Sequence, residues 1–174
     1  GDAPQDEMLP AHDRAAAVVR MDDPFVHAAF VRLCLAMPGL LHGYPVADLL
    51  RQARPYHPWQ LWACNCGRLL AGEDPELARR CLRFSCDCCL KTGNGVTLEP
   101  MALMPLSVLA ATGLLSREEI RTTTEDVMQR LRDACAAGQL YAPHFQSLLD
   151  LPDADAVLSE VAAHTSRYFP FNYH

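Results

Sequence analysis

The stretch Ala63–Cys89, ACNCGRLLAGEDPELARRCLRFSCDCC, holds six of the eight cysteines in the chain. The spacing is Cys-x-Cys, fourteen residues, one cysteine, four residues, and then Cys-x-Cys-Cys. Four explanations compete for this density: a metal site, core packing of free thiols, disulfides, and thiol chemistry. The choice among them decides how this part of the chain folds.

A structural zinc site is the interpretation that the spacing favours. Zinc takes four tetrahedral ligands and prefers thiolate sulfur and imidazole nitrogen, and two separated cysteine pairs can supply all four. The sequence predicts that Cys64, Cys66, Cys86 and Cys89 hold a structural Zn²⁺ ion. Residues i and i+2 of a helix point apart, so we expect the Cys-x-Cys pair to lie in a loop. Gly67 fits that loop and is expected to end the helix before it.

Three further residues are alternates for the site. On one continuous helix Cys86 and Cys89 are neighbours at i and i+3, whereas Cys88 replaces Cys89 if the chain unwinds. Cys81 lies roughly 10 Å from Cys88 along such a helix, too far for one ion to join both. His57 is a substitute for one thiol, although a loop histidine without a ligand role is the simpler interpretation.

The other three explanations account for less of the pattern. Free cysteine packs as a small apolar residue, and we expect this for Cys34, Cys81 and Cys135. Disulfides would suit an even number of cysteines, but the chain is long enough to fold without them. Redox chemistry is disfavoured because the C-x-x-C motif, in CDCC, lies late in a predicted helix.

Length and composition indicate one domain with flanking segments. The chain has 174 residues, half of them hydrophobic, and a net charge of −6. We expect a flexible arm over 1–12, a single helical domain over 13–167 with the zinc element at about 57–95, and an aromatic tail over 168–174. One lysine stands against fourteen arginines, which is typical of a GC-rich genome, bacterial or viral. No signal peptide or membrane span is visible, so we expect an intracellular protein with reduced thiols.

The pattern of apolar residues and helix signals predicts an all-α fold. We expect a compact bundle of about six or seven short helices with the zinc element inserted in the middle. Asp23 and Pro24 begin one helix, and Ser116 with Glu119 forms a capping box for another. In the first of these helices, the buried stripe is expected to comprise Phe25, Ala29, Leu33 and Met37, with Phe30 and Cys34 alongside.

These features favour a non-enzymatic interaction or regulatory module stabilised by zinc. No paired carboxylates near a histidine, serine elbow, phosphate loop or HExxH helix occurs in the sequence. We expect the partner to be another protein or a second copy of the chain. The residues expected to contact it are in the aromatic tail: Tyr168, Phe169, Phe171 and Tyr173.

Two alternatives stay open for the function. The first is a nucleic-acid-binding zinc protein that uses Arg79, Arg80 and Arg83, although the negative net charge disfavours it. The second is an exported protein whose cysteines form disulfides.

Overall fold

The computed structural model describes residues 11–91, 103–138 and 146–164, with side chains for all of these except 11–13 and 89–91. Within these ranges the chain forms nine α-helices and one short 3₁₀ helix, Pro38–Leu41, and no strand. The predicted all-α class is therefore confirmed, with more helices than the six or seven expected. The helices are α1 Ala11–Val19, α2 Pro24–Ala36, α3 Val46–Gln52, α4 His57–Leu70, α5 Pro75–Lys91, α6 Leu103–Thr112, α7 Arg117–Ala136, α8 Gln146–Leu149 and α9 Ala154–Ala163.

Local signals fix most of the helix ends. The Asp23 side chain accepts a hydrogen bond from the Phe25 amide at 2.9 Å at the start of α2. Ser116 and Glu119 form the expected capping box of α7, with bonds of 3.0 and 3.1 Å. Such caps satisfy amides that the helix itself leaves without a partner. The sequence therefore placed these helix starts correctly.

The helices enclose two hydrophobic cores. The N-terminal core lies among α1, α2, the 3₁₀ helix and α3, and the C-terminal core lies among α6, α7, α8 and α9. The helical hairpin of α4 and α5 contributes side chains to both cores. The cysteine-rich stretch is therefore the central pair of helices in the described fold, rather than an element inserted into a finished bundle.

Close packing of α4 against α5 depends on Gly67. A Cβ atom at this position would lie 2.4 Å from Cγ of Leu82, which is fully buried on α5. The expectation that Gly67 ends a helix is wrong, because α4 continues through it to Leu70. Here the missing side chain lets two helices approach each other.

The predicted flanking segments lie mostly outside the described residues. The arm over 1–12 overlaps only the start of α1, and the whole tail over 168–174 falls outside. No helix in the described part of the chain is both long enough and apolar enough to cross a bilayer.

Candidate functional site

Both cysteines of the Cys-x-Cys pair lie within helix α4. The expectation of a loop at Cys64 and Cys66 is therefore wrong. Residues two apart on a helix are separated by about 200° around its axis. Cys64 consequently belongs to the C-terminal core, whereas Cys66 belongs to the N-terminal core.

The hairpin distributes the other cysteines in the same way. Cys86 shares the C-terminal core with Cys64, and Cys81 shares the N-terminal core with Cys66 and Cys34. Among the side chains that the structure describes, no three histidine, cysteine, aspartate or glutamate groups are placed to hold a metal ion. The side chain of the fourth predicted ligand, residue 89, is outside that set, so the zinc site stays a prediction.

The cysteines that the structure describes are outside any disulfide, and burial keeps Cys64, Cys66, Cys81 and Cys86 of the hairpin protonated. Desolvation raises the pKa of Cys64 and of Cys81 to about 12. Desolvation also raises the pKa of Cys66 and Cys86 well above the ordinary value. In this packing the thiols are neutral at physiological pH and serve as small apolar groups.

The remaining cysteines and the alternate ligands have distinct surroundings. Cys34 and Cys81 are fully buried, as expected for core residues, and Cys135 is half-buried against the C-terminal core. Cys88 is buried on α5. The His57 ring contacts Phe25, with ring centres 5.4 Å apart. His57 lies two turns before Cys64 on α4, roughly 10 Å along the axis, so one ion cannot bind both.

The three arginines of the nucleic-acid hypothesis lie beside one recess of about 460 Å³. Acidic groups share the recess, since Asp87 and Glu119 also line it. Arg79 pairs with Glu76, and Arg83 lies 3.9 Å from Glu119 of α7. The surface is therefore mixed in sign rather than a basic stripe.

A closed hydrogen-bond network occupies the middle of the N-terminal core. Trp62 Nε1–H can only donate, so the Tyr44 hydroxyl accepts its bond at 2.9 Å. That hydroxyl donates in turn to His27 Nδ1 at 2.6 Å, and His27 Nε2–H donates to the Met21 carbonyl at 3.0 Å. The network requires neutral His27, and burial lowers the pKa of this imidazole. The one buried histidine of the described chain thus has a structural role.

The predicted buried stripe of α2 is on the solvent side. Phe25 is 49% exposed, Leu33 48% and Met37, just past the helix end, 47%, and Ala29 between them is also exposed. Phe30 and Cys34 are buried as expected, together with His27 and Val31. Because α2 is apolar around most of its circumference, with only His27 and Arg32 polar, its periodicity does not show which side meets α4. The prediction that Phe25, Ala29, Leu33 and Met37 are buried is wrong.

We call the exposed apolar surface formed by Phe25, Ala29, Leu33 and Met37 the α2 face. Two half-exposed side chains extend it: Met21 at 51% before the helix, and Tyr56 at 44% beside Phe25. The Phe25 and Tyr56 rings meet edge to face, with centres 5.9 Å apart. Met21 and Tyr56 were not among the residues predicted from the sequence to form a surface.

A small cavity of about 80 Å³ borders the α2 face on the side of α4. Phe25, Ala29 and Arg32 of α2 line it, together with Pro58 and Leu61 of α4. Large apolar side chains of the α2 face therefore lie next to a small hole whose lining is mostly apolar.

No protein-family model matches the chain, and neither a curated protein nor a solved structure shows significant similarity to it.

Proposed function

We propose that this protein is a non-enzymatic interaction module that binds another polypeptide through the α2 face. The observation that supports the proposal is the run of half-exposed Phe25 and Leu33 along one side of α2, continued by Met37 just past its end. Scattered exposed apolar residues are ordinary, but a contiguous patch of large ones marks interaction surfaces. The opposite side of α2 packs on α4, which holds the helix rigid for binding.

A helical partner fits this surface best. Apolar residues repeat every four positions along α2, so they form a ridge rather than a flat sheet-like patch. An amphipathic helix buries such a ridge with anchors at matching spacing. Binding of this kind requires no catalytic group, in keeping with the absence of catalytic patterns from the sequence.

The test compares capture of partners by three forms of the protein. We expect the wild type to retain a partner from extracts of cells that produce it, and the double variant Phe25→Glu/Leu33→Glu to lose it at least about tenfold. A matched control, Ala110→Glu/Ala162→Glu, adds the same charge at exposed positions on α6 and α9 and should behave like the wild type. If all three forms retain the same proteins in equal amounts, the α2 face is not the binding surface.

Zinc stabilisation of this module is a separate proposal. It is supported by Cys64 and Cys86, which share one core, and by the position of Cys89 one turn beyond Cys86 on α5. Elemental mass spectrometry of protein purified without chelator tests it, with about one zinc per chain expected. A metal-free folded protein would contradict it.

A further inference from the structure

We propose that the partner of the α2 face is the same face of a second copy, with the two α2 helices antiparallel across a two-fold axis at Ala29. This inference rests on the proposed function and specifies its partner. It follows from the order of side-chain sizes along the face, the adjoining cavity, the charges at the helix ends and the uncovered area.

The order of sizes is the same in both directions from Ala29. Met21 and Phe25 precede it at intervals of four residues, and Leu33 and Met37 follow at the same intervals. In an antiparallel pair, Phe25 of one copy faces Leu33 of the other, and Met21 and Met37 lie just outside the two ends of α2. The small Ala29 side chain faces itself and lets the two backbones approach, as a self-complementary two-fold interface requires.

The cavity beside the α2 face supplies a hole for the facing side chain. It measures about 80 Å³ and is bordered by Phe25, Ala29, Pro58 and Leu61. A water molecule takes about 30 Å³ of liquid volume, so the cavity has room for roughly two or three groups of that size. The end of the Leu33 side chain of the second copy, which faces Phe25, fits this space.

The charges favour the antiparallel direction. Asp22 and Asp23 are exposed at the start of α2, and Arg32 lies in its second half. In the antiparallel pair, Arg32 faces residue 26 of the second copy, about 4.5 Å along the axis from Asp23. A parallel pair would instead bring equal charges together, which opposes association.

The exposed area indicates a weak dimer. An aromatic side chain such as Phe25 carries roughly 200 Å² of surface, and the others are no larger, so half-exposed Met21, Phe25, Leu33 and Met37 leave at most on the order of 400 Å² per copy. The pair would bury on the order of 800 Å² of this surface, which is below the roughly 1,200 Å² of stable specific complexes and falls in the weak, transient class. We therefore expect a reversible dimer that dissociates on dilution.

A charge exchange between the two facing positions tests the pairing with purified full-length protein. Sedimentation velocity is measured on the wild type, on Phe25→Glu, on Leu33→Lys, and on an equal mixture of the two variants. We expect the wild type to dimerise, and each variant alone to associate at least about tenfold more weakly, because its charge is buried against an apolar side chain.

The mixture is the decisive sample, and we expect it to recover association. In an antiparallel pair of the two variants, the introduced carboxylate faces the introduced ammonium at one contact. The native Phe25–Leu33 contact persists at the other. A parallel pair gains no such complementary contact. Circular dichroism confirms that both variants fold, and a mixture of Ala110→Glu with Ala162→Lys should associate like the wild type.

Two results would overturn the inference, and both leave the proposed function separately testable. The first is a wild type that stays monomeric at concentrations on the order of 1 mM, at which a dimer with a Kd below about 1 mM would be populated. The second is a variant mixture as monomeric as its components. If partner capture still depends on Phe25 and Leu33 in either case, the α2 face binds a different protein. Recovery in the mixture supports the two-fold pair.

Discussion

At the residue scale, Gly67 controls how closely the two cysteine-rich helices pack. We expect Gly67→Ala to destabilise the fold by about 1–3 kcal/mol, because its Cβ would overlap the buried Leu82 side chain. The better helix propensity of alanine relative to glycine offsets this cost by only about 1 kcal/mol. Urea unfolding measures the difference. Gly72→Ala is the control, since nothing lies within 4 Å of a Cβ at that position.

A double-mutant cycle identifies the cause of the stability loss in Gly67→Ala. If the overlap with Leu82 is responsible, Gly67→Ala should cost much less in a Leu82→Ala background, where the space is free. Equal costs in both backgrounds would show that the overlap is not the reason.

A single buried imidazole, that of His27, should make stability depend on pH. Burial holds its pKa below the ordinary 6.5, although the Met21 carbonyl, Asp22 and Asp23 act in the opposite direction. Between the folded pKa and 6.5, the unfolded chain binds a proton that the folded chain does not bind. Stability is therefore full above 6.5 and falls as the pH decreases through 6.5 towards the folded pKa.

Urea midpoints between about pH 5.5 and about pH 7.5 measure this dependence in the wild type, His27→Gln and His57→Gln. Burial also lowers the pKa of His57, so that histidine contributes in the same direction. We expect His57→Gln to keep most of the slope, because the ring is only half-buried, and His27→Gln to lose most of it. If the urea midpoint of His27→Gln changed with pH as steeply as that of the wild type, a group other than His27 would cause the pH dependence. The lowered pKa of Glu119 makes stability depend on pH only below pH 4.5, which is outside the measured range.

At the element scale, α4 shows why the cysteine spacing and Gly67 led to the wrong prediction of a loop. Glycine is typical both of helix ends and of helices in close contact, and the sequence alone does not distinguish them. Because Cys64 and Cys66 lie two residues apart on one helix, their side chains pack into different cores. Capped helix starts such as Asp23 and Ser116 were predictable because their partners lie within three residues. The side that a helix buries depends on residues far away in the chain.

The two interpretations of the cysteines predict different responses to alanine and serine. A thiol that only packs should tolerate alanine better than serine, because a buried hydroxyl without a partner costs about 1–3 kcal/mol. We expect this contrast at Cys34 and Cys66, measured by thermal unfolding, whereas Cys64 should follow the metal-ligand pattern if the proposed zinc is bound there. A metal ligand would give equal losses with alanine and serine, and the bound zinc would disappear with both. Metal content measured on the same samples separates the two outcomes.

For the whole molecule, the shared hairpin should make the two cores unfold together. Both tryptophans of the chain, Trp59 and Trp62, are on the side of the N-terminal core, so their fluorescence reports on that half. Leu106→Ala removes a fully buried side chain from the C-terminal core and should cost about 2–5 kcal/mol. We expect the fluorescence and circular dichroism midpoints to fall by the same amount.

Exposed Leu33 supplies the control for this experiment. Leu33→Ala should move neither midpoint appreciably in dilute protein, because the side chain is half exposed. A fluorescence transition that stays in place while the circular dichroism curve splits into two would mean that the cores are independent.

The all-α class of the fold was predictable from the sequence, but its division into two hydrophobic cores was not. Abundant helix signals and the lack of strand alternation were enough to predict an all-α protein. Two cores joined by one hairpin could not be foreseen, because Cys64 and Cys66 look equivalent in the sequence. Only packing against residues distant in the chain assigns Cys64 to the core of Leu82 and Cys86, and Cys66 to the core of Cys34 and Cys81.

Residues along α4 pack in turn into one core and the other, and this arrangement also restricts changes in the length of the helix. Inserting or deleting one codon inside α4 would rotate every following residue by about 100° and send side chains of one core towards the other. A substitution disturbs one contact, whereas such a length change disturbs both cores at once. Among related sequences, we therefore expect length differences to accumulate outside residues 57–70, however far the amino acids within that helix diverge.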